Sequence, residues 1–162
     1  MNQNIMINAI RGEYKRYKIM AEKTIEQVDD VQLCTVIGDS SIVMYMTHLG
    51  GNFSSRFSNF LSSDGEKDDR NRDSEFKIDE ITKESSLKIW NNGWSILNKT
   101  MEELSDDDLH KIVTIRKQEL TVADALARSL SHVAYHVGEM VLLGKILLEG
   151  KWKSLSIPRN AS

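Results

Sequence analysis

The sequence predicts an all-α fold, and three observations support that prediction. The chain of 162 residues contains a single proline, Pro158, close to its end, and proline is the residue that helix interiors tolerate least. Most of the chain lacks the apolar-polar alternation that is typical of strands. Four segments instead repeat apolar residues at steps of three and four, which predicts four long helices packed as a bundle.

The predicted helices span residues 3–31, 40–61, 79–104 and 122–149. In the first, third and fourth, one apolar stripe runs from Ile7 to Val31, from Leu87 to Leu104 and from Leu126 to Leu147. Asp79 is positioned to cap the third helix. Thr121 and Asp124 resemble a capping box at the start of the fourth helix, with aspartate in place of the usual glutamate or glutamine.

The second predicted helix has two different faces. Its apolar stripe consists of Ile42, Leu49, Phe53 and Phe60. The opposite face carries small or neutral polar residues, namely Ser41, His48, Asn52, Ser55 and Asn59. Apart from a possible charge on His48, the one charged side chain between Ile42 and Leu61 is Arg56, whereas a solvent-facing stripe normally carries Lys and Glu. The pattern therefore predicts a buried or half-buried polar lining that contains His48.

Two connections are unusually long for a simple bundle. Residues 62–78 are rich in charge, and we interpret them as a solvated loop whose charges pair with one another. Residues 105–121 include the segment KIVTIRKQEL, which favours a short extended segment or hairpin. Either connection is long enough to cross a bundle from end to end, so the sequence also allows one parallel pair of helices.

Composition limits the class of protein. The formal net charge of −3 argues against a nucleic-acid-binding surface, which requires clustered basic residues. The single cysteine, Cys34, excludes an intrachain disulfide and fits a reducing compartment. No segment approaches the ~20 apolar residues of a membrane span. We expect one cytoplasmic domain over residues 1–162, without nucleic-acid or membrane partners.

The most informative pair of residues is His132 and His136, four apart in the fourth predicted helix. That spacing places both imidazoles on one face, one turn apart. With His48 as a third ligand they could hold one divalent ion, Zn²⁺ or Ni²⁺, and leave a coordination position open. An HxxxH pair alone is a weak signal, and the alternative is two ordinary histidines at the edge of a packed face.

Four further residues are candidates for roles beside this ion. Glu139 could fix an imidazole tautomer or act as a general base, and Asn52 could orient a bound water. If the second and fourth helices are antiparallel, Arg56 and Arg128 fall at the same end of the site and suit a carboxylate or phosphate. The alternative is a solvated glutamate and two unrelated surface arginines.

The fourth predicted helix also has an apolar outer side, with Tyr135, Leu142 and Ile146 among small residues. A helix that is apolar on more than one face is buried on more than one side. We therefore predict a homodimer formed by this helix and by the C-terminal tail Trp152–Pro158, whose apolar side chains need cover.

The arrangement of one histidine on the second helix and HxxxH on the fourth resembles the DinB-like proteins of the DinB/YfiT superfamily. Further resemblance lies in HLGGNFSSRFSNFLSSDGEKDDRNRDSEF, SHVAYHVGEMVLLGKIL and the tail WKSLSIPRNAS, which are similar to one uncharacterised subfamily. The run GN–SR–DGEK–RNRD–EF is the most distinctive part. The resemblance implies a four-helix bundle with up-down-down-up topology, usually dimeric, and a divalent ion on His48, His132 and His136.

The resemblance also suggests a chemistry. Relatives in the superfamily use low-molecular-weight thiols such as bacillithiol or mycothiol as cosubstrates. We therefore expect a metal-dependent enzyme acting on a small molecule, either a thiol S-transferase or a hydrolase. The alternative is a metal-binding stress or interaction protein without turnover.

Overall fold

A computed structural model describes residues 4–156 of the protein. Within them the chain is mostly helical, with five α-helices and one two-stranded sheet. The helices are α1 (Ile5–Ile25), α2 (Asp30–Cys34), α3 (Ile42–Phe57), α4 (Lys83–Glu103) and α5 (Val122–Leu148). The strands β1 (Ile112–Ile115) and β2 (Gln118–Thr121) pair antiparallel. This content supports the all-α prediction and confirms the hairpin predicted within residues 105–121.

The first predicted helix is too long at its C-terminal end. α1 stops at Ile25, and a separate short helix, α2, begins after Asp29. Asp29 caps α2 reciprocally, since Gln32 N–H donates to its carboxylate at 2.8 Å and Asp29 N–H donates to the Gln32 side chain at 2.9 Å. Val31, predicted to belong to the buried stripe, is consequently 77% exposed. The predicted start at residue 3 lies outside the described residues.

Side-chain caps set where α4 and α5 begin. The prediction of Asp79 as the cap of α4 is wrong, because Asp79 lies in a short 3₁₀ turn and Thr82 accepts the Ser85 N–H at 3.1 Å instead. Thr121 caps α5 as predicted, accepting the Asp124 N–H at 3.0 Å. The predicted capping box is not complete, because the Asp124 carboxylate accepts from the Thr121 hydroxyl at 2.6 Å and not from its backbone N–H. α3 ends at Phe57, four residues before the predicted boundary.

α3 lies at the centre of the structure, and 13 of its 16 residues are buried. It packs most extensively on α4, and it also contacts α5 and α2. The α3–α4 crossing is close because two glycines meet there. A Cβ on Gly50 would stand 2.5 Å from the Ile89 carbonyl oxygen, and one on Gly93 would stand 2.6 Å from the Gly50 Cα. Such close backbone contact leaves no room for a side chain at either position.

The hairpin joins the ends of α3 and α5. α5 follows β2 directly, and Gly65, in the connection after α3, donates its N–H to the Thr114 carbonyl of β1 at 2.8 Å. The C-terminal end of α3 therefore adjoins the N-terminal end of α5, which lets the polar face of α3 meet α5. Between residues 4 and 156, no helix has both the length and the apolar character that a membrane crossing requires.

Candidate metal centre

The three predicted histidines converge. His48 comes from α3 and His132 and His136 come from α5, and one ligand atom from each lies within 4.8 Å of the others. His132 Nε2 is 3.1 Å from His48 Nε2 and 3.0 Å from His136 Nε2. The i, i+4 spacing and the polar face of α3 thus bring three ring nitrogens together at the α3–α5 contact.

Two carboxylates set the orientation of two of the rings. His48 Nδ1 lies 2.8 Å from Glu75 Oε2, and His136 Nδ1 lies 2.7 Å from Glu139 Oε2. An ionised carboxylate can only accept a hydrogen bond, so both Nδ1 atoms carry the proton. In the neutral imidazoles, each Nε2 therefore presents its lone pair toward His132. Such carboxylate–histidine pairs are typical of metal ligands.

The close nitrogen contacts fit a shared ion better than a hydrogen-bonded group. His132 Nε2 carries at most one proton, so it can donate to only one of its two neighbours. The other contact would then bring two lone pairs face to face. Nitrogens that bind one Zn²⁺ at the usual ~2.0–2.1 Å lie about 3.3 Å apart in a tetrahedral arrangement, close to the distances found here. The residues therefore fit a divalent ion.

The surroundings keep two of the ligands neutral. Burial, together with the neighbouring His136 and His48, lowers the pKa of His132 to about 3. Burial also lowers the pKa of His136, although the hydrogen bond to Glu139 acts in the opposite direction. Because a neutral imidazole is the form that binds metal, these two ring nitrogens need not lose a proton near pH 7.

Glu75 is a part of the site that sequence reasoning missed. Its side chain is 7% exposed and also accepts from Arg70, whose Nε and Nη2 donate at 2.8 and 2.9 Å. Gly51 makes room for it, since a Cβ there would collide with the Glu75 carboxylate. The interpretation of residues 62–78 as a solvated loop is therefore wrong at this point, although its charges do pair with one another.

The connection after α3 is held against the hairpin. Asp64 accepts the backbone N–H groups of Arg116 at 2.9 Å and Lys117 at 2.8 Å. These two turn residues have positive φ values of 53° and 63°. Ser55 reinforces the attachment by donating to the Gly65 carbonyl at 2.9 Å. This attachment places the following residues, including Arg70 and Glu75, over the polar face of α3.

The histidines form part of the wall of a cavity of about 830 Å³. All four of the other predicted site residues, Asn52, Arg56, Arg128 and Glu139, line the same cavity. Asn52 is buried one turn after His48, and Arg56 is half-buried one turn further. Arg128 is exposed, one turn before His132. Their placement in one cavity leaves their chemical roles as predictions.

Two tyrosines, also missed from the sequence, enclose His136. The ring centroids of Tyr45 and Tyr135 lie 5.1 and 4.8 Å from that of His136. Burial raises the pKa of Tyr45, and the nearby Glu139 raises the pKa of both phenols, so they are neutral hydrogen-bond donors near pH 7. Tyr45 precedes His48 by one turn of α3, which is the signal that could have identified it.

The distinctive sequence run explains how the site is assembled. Its members include Gly51, Asn52, Ser55, Arg56, Asp64, Gly65, Glu66, Arg70, Glu75 and Phe76. Each of these either lines the cavity, attaches the connection to α3 or the hairpin, or contacts His48 or the carboxylate that holds it. The run was therefore the available signal for Arg70 and Glu75.

Comparison with known proteins identifies one family. No curated protein and no solved structure matches the chain. One family model, DUF1572, described as a protein of unknown function, matches residues 2–161. The match covers nearly the whole chain and supports the DinB-like resemblance at the level of the fold. The chain belongs to the DUF1572 family, whose fold is DinB-like.

Proposed function

We propose that the protein is a metal-dependent enzyme in which His48, His132 and His136 hold one divalent ion, Zn²⁺ or Ni²⁺. The observation that carries the proposal is the approach of His132 Nε2 to both other Nε2 atoms, at 3.1 and 3.0 Å, in the wall of a cavity. When bound, such an ion would act as a Lewis acid and lower the pKa of a water or thiol beside it.

We assign a separate role to each of the other polar side chains of the site. Glu75 and Glu139 hold two imidazoles in the tautomer that ligates. Asn52, buried in the wall one turn from His48, would orient the reacting water or thiol through its amide group. Arg56 and Arg128 would attract an anionic group of the substrate. Because Glu139 Oε2 accepts a hydrogen bond from His136 Nδ1, which lies 2.7 Å away, its geometry favours the tautomer-fixing role over that of a general base.

The reaction that we propose is thiol S-transfer, with hydrolysis as its closest variant. Both use a nucleophile whose pKa must be lowered to react near pH 7. The preference for a thiol cosubstrate rests on the resemblance to DinB-like relatives.

The alternative is a metal-binding stress or interaction protein without turnover. Such a protein would be expected to surround its ion completely with protein ligands. Here the three histidines border a cavity of about 830 Å³ that is large enough for a small molecule. That opening is the observation that favours the enzyme.

The remaining parts of the proposal concern assembly. We propose one domain, a four-helix bundle of α1, α3, α4 and α5 with up-down-down-up topology, and a homodimer. Leu142 and Ile146, on the outer side of α5, are 57% and 49% exposed, which supports an interface there. Tyr135, which the sequence assigned to the same side, is 63% exposed but lines the cavity and packs against His136. Trp152 packs within its own chain against Gly144 of α5, so the tail contributes less uncovered surface than the sequence suggested. Residues 157 and 158 of that tail lie outside the described residues.

Metal content tests the first part of the proposal. Untagged protein should contain about one equivalent of Zn²⁺ or Ni²⁺ by elemental analysis, and His132→Ala should lose most of it because two ligands bind far more weakly than three. His110→Ala is the matched control, since His110 is exposed and outside the cluster. Full metal occupancy in His132→Ala would refute the assignment.

Turnover tests the second part. Metal-loaded protein should be mixed with several biological thiols and a panel of electrophiles, with water alone in parallel. Thiol-dependent turnover that disappears in His48→Ala but persists in His110→Ala supports the transferase. Turnover without thiol supports the hydrolase. No turnover, together with a closed coordination sphere by X-ray absorption, would favour the non-catalytic alternative.

A further inference from the structure

The cavity beside the histidines is unusually rich in arginine. Five arginines line it, Arg56, Arg70, Arg72, Arg116 and Arg128. They come from α3, from the connection between α3 and α4, from the hairpin turn and from α5. Residues from four separate parts of the chain thus bring the same kind of group to one cavity.

Three of these guanidinium groups already form ion pairs. Glu66 lies 2.8 Å from Arg56 and 2.9 Å from Arg116, so one carboxylate holds both. Arg70 is paired with the buried Glu75 at 2.8 Å. These ion pairs fix the shape of the wall, and a ligand anion would have to compete with Glu66 and Glu75 for these three arginines.

The other two arginines, Arg72 and Arg128, make no ion pair with any residue between 4 and 156. The Arg72 guanidinium carbon lies 5.6 Å above the Phe76 ring, whose centroid is 4.8 Å from that of His48. Arg128 precedes His132 by one helical turn, a rise of about 6 Å along α5. Both cations therefore adjoin the histidine cluster while keeping their donors available.

The charge and the apolar lining of the cavity define a ligand class. The five guanidinium groups meet four carboxylates, with Asp39 and Glu139 in the wall and Glu66 and Glu75 bonded behind it. One positive charge is left over, and a divalent ion would add two. The lining also includes apolar side chains, namely Phe57, Phe60, Phe76 and Ile115. Excess positive charge next to aromatic rings suits a molecule with an anionic head and an apolar body.

We propose that this cavity binds an amphipathic organic anion, a carboxylate or phosphate monoester, through Arg72 and Arg128. The inference deepens the proposed function, on which it rests, by assigning the chemical class of the substrate. Arg56 and Arg116 contribute positive electrostatic potential to the cavity. Arg72 and Arg128 donate the hydrogen bonds to the anionic head of the ligand.

Calorimetric titration tests the proposal with defined probes. Phenyl phosphate and benzoate represent the two anionic heads, and benzyl alcohol is the neutral analogue. Each is titrated into Zn²⁺-loaded and chelator-treated protein, into Arg72→Gln and Arg128→Gln, and into Arg16→Gln. Arg16 is a matched control because it is an exposed arginine of α1 outside the cavity.

The expected result is that at least one anion binds at least tenfold more tightly than benzyl alcohol. Each cavity variant should weaken that anion at least tenfold, Arg16→Gln should not, and the stronger probe identifies the head group. Equal binding of benzyl alcohol, or unchanged anion binding in both cavity variants, would overturn the inference. Metal analysis of the same samples separates the two proposals, since the arginine variants should keep full metal content. Anion binding that is lost with the metal but unaffected by either variant would also overturn it.

Discussion

Replacing Glu75 by glutamine tests how the site is held together. The substitution keeps the size of the side chain and an oxygen that can accept from His48 Nδ1, which now lies 2.8 Å from the carboxylate. It removes the negative charge that faces Arg70, whose side chain is 6% exposed. His48 therefore loses basicity and orientation, while a buried guanidinium loses its partner.

The structure sets the size of both effects. Loss of a carboxylate behind a metal-bound histidine typically weakens metal binding by about 10–100-fold, which corresponds to about 1.4–2.8 kcal/mol. Breaking one side of a buried ion pair typically lowers the unfolding free energy by about 3–5 kcal/mol. We expect the lower end, about 3 kcal/mol, because the amide still accepts hydrogen bonds and Glu66 lies 3.8 Å from Arg70.

Two assays separate these effects. Competition with a chromophoric chelator measures the Kd for Zn²⁺, and urea unfolding of metal-free protein measures stability. Glu80→Gln is the matched control, since Glu80 lies in the same connection but is exposed and pairs only weakly with Lys77 at 3.5 Å. A folded Glu75→Gln variant with wild-type Zn²⁺ affinity would refute the role assigned to Glu75, whatever its stability.

Three further predictions concern the framework. Gly50→Ala should lower the unfolding free energy by at least about 2 kcal/mol, because its Cβ would meet the Ile89 carbonyl at 2.5 Å; wild-type stability would contradict the close crossing. Lys117→Gly should raise the urea midpoint, by up to about 1 kcal/mol in stability, since Lys117 has a φ of 63°; destabilisation would contradict backbone strain there. Hydrogen bonds from the Glu66, Lys117 and Arg116 N–H groups lower the pKa of Asp64 in the folded protein. The ionised Asp64 therefore stabilises the fold above its unfolded pKa of ~3.9, and this stabilisation is lost as the pH falls through the folded pKa. In Asp64→Asn the urea midpoint of unfolding should therefore depend less on pH between pH 5 and pH 3, and the same pH dependence as in the wild type would contradict this.

The features that the sequence predicted correctly depend on residues that are close together in the chain. Helical periodicity located four long helices, and the absence of Lys, Asp and Glu on α3 indicated its buried polar face. The i, i+4 spacing of His132 and His136 placed both rings on one face. The break between α1 and α2 was missed because the apolar periodicity continues through Asp29, and it outweighed the local capping-box pattern of Asp29 and Gln32 that marks a new helix start.

The missed site residues have a different cause. Glu75 lies 27 positions from His48 in sequence, in a segment whose high charge is typical of solvated loops. Its burial depends on attachments made elsewhere, by Asp64 to the hairpin turn and by Ser55 to Gly65. Apolar periodicity does not encode such a path, because each attachment joins two segments that lie apart in the sequence.

The HxxxH pair and the charged run are far apart in the sequence, but both contribute to the same site. α5 supplies two histidines and Glu139, which holds one of them. α3 and the charged run supply the third histidine and Glu75, which holds it. Among the described residues no carboxylate holds His132, which stands between the other two ligands and one turn from the unpaired Arg128. Under the proposed function, a substrate anion bound at Arg128 would approach the metal site past His132, the histidine that lacks a supporting carboxylate.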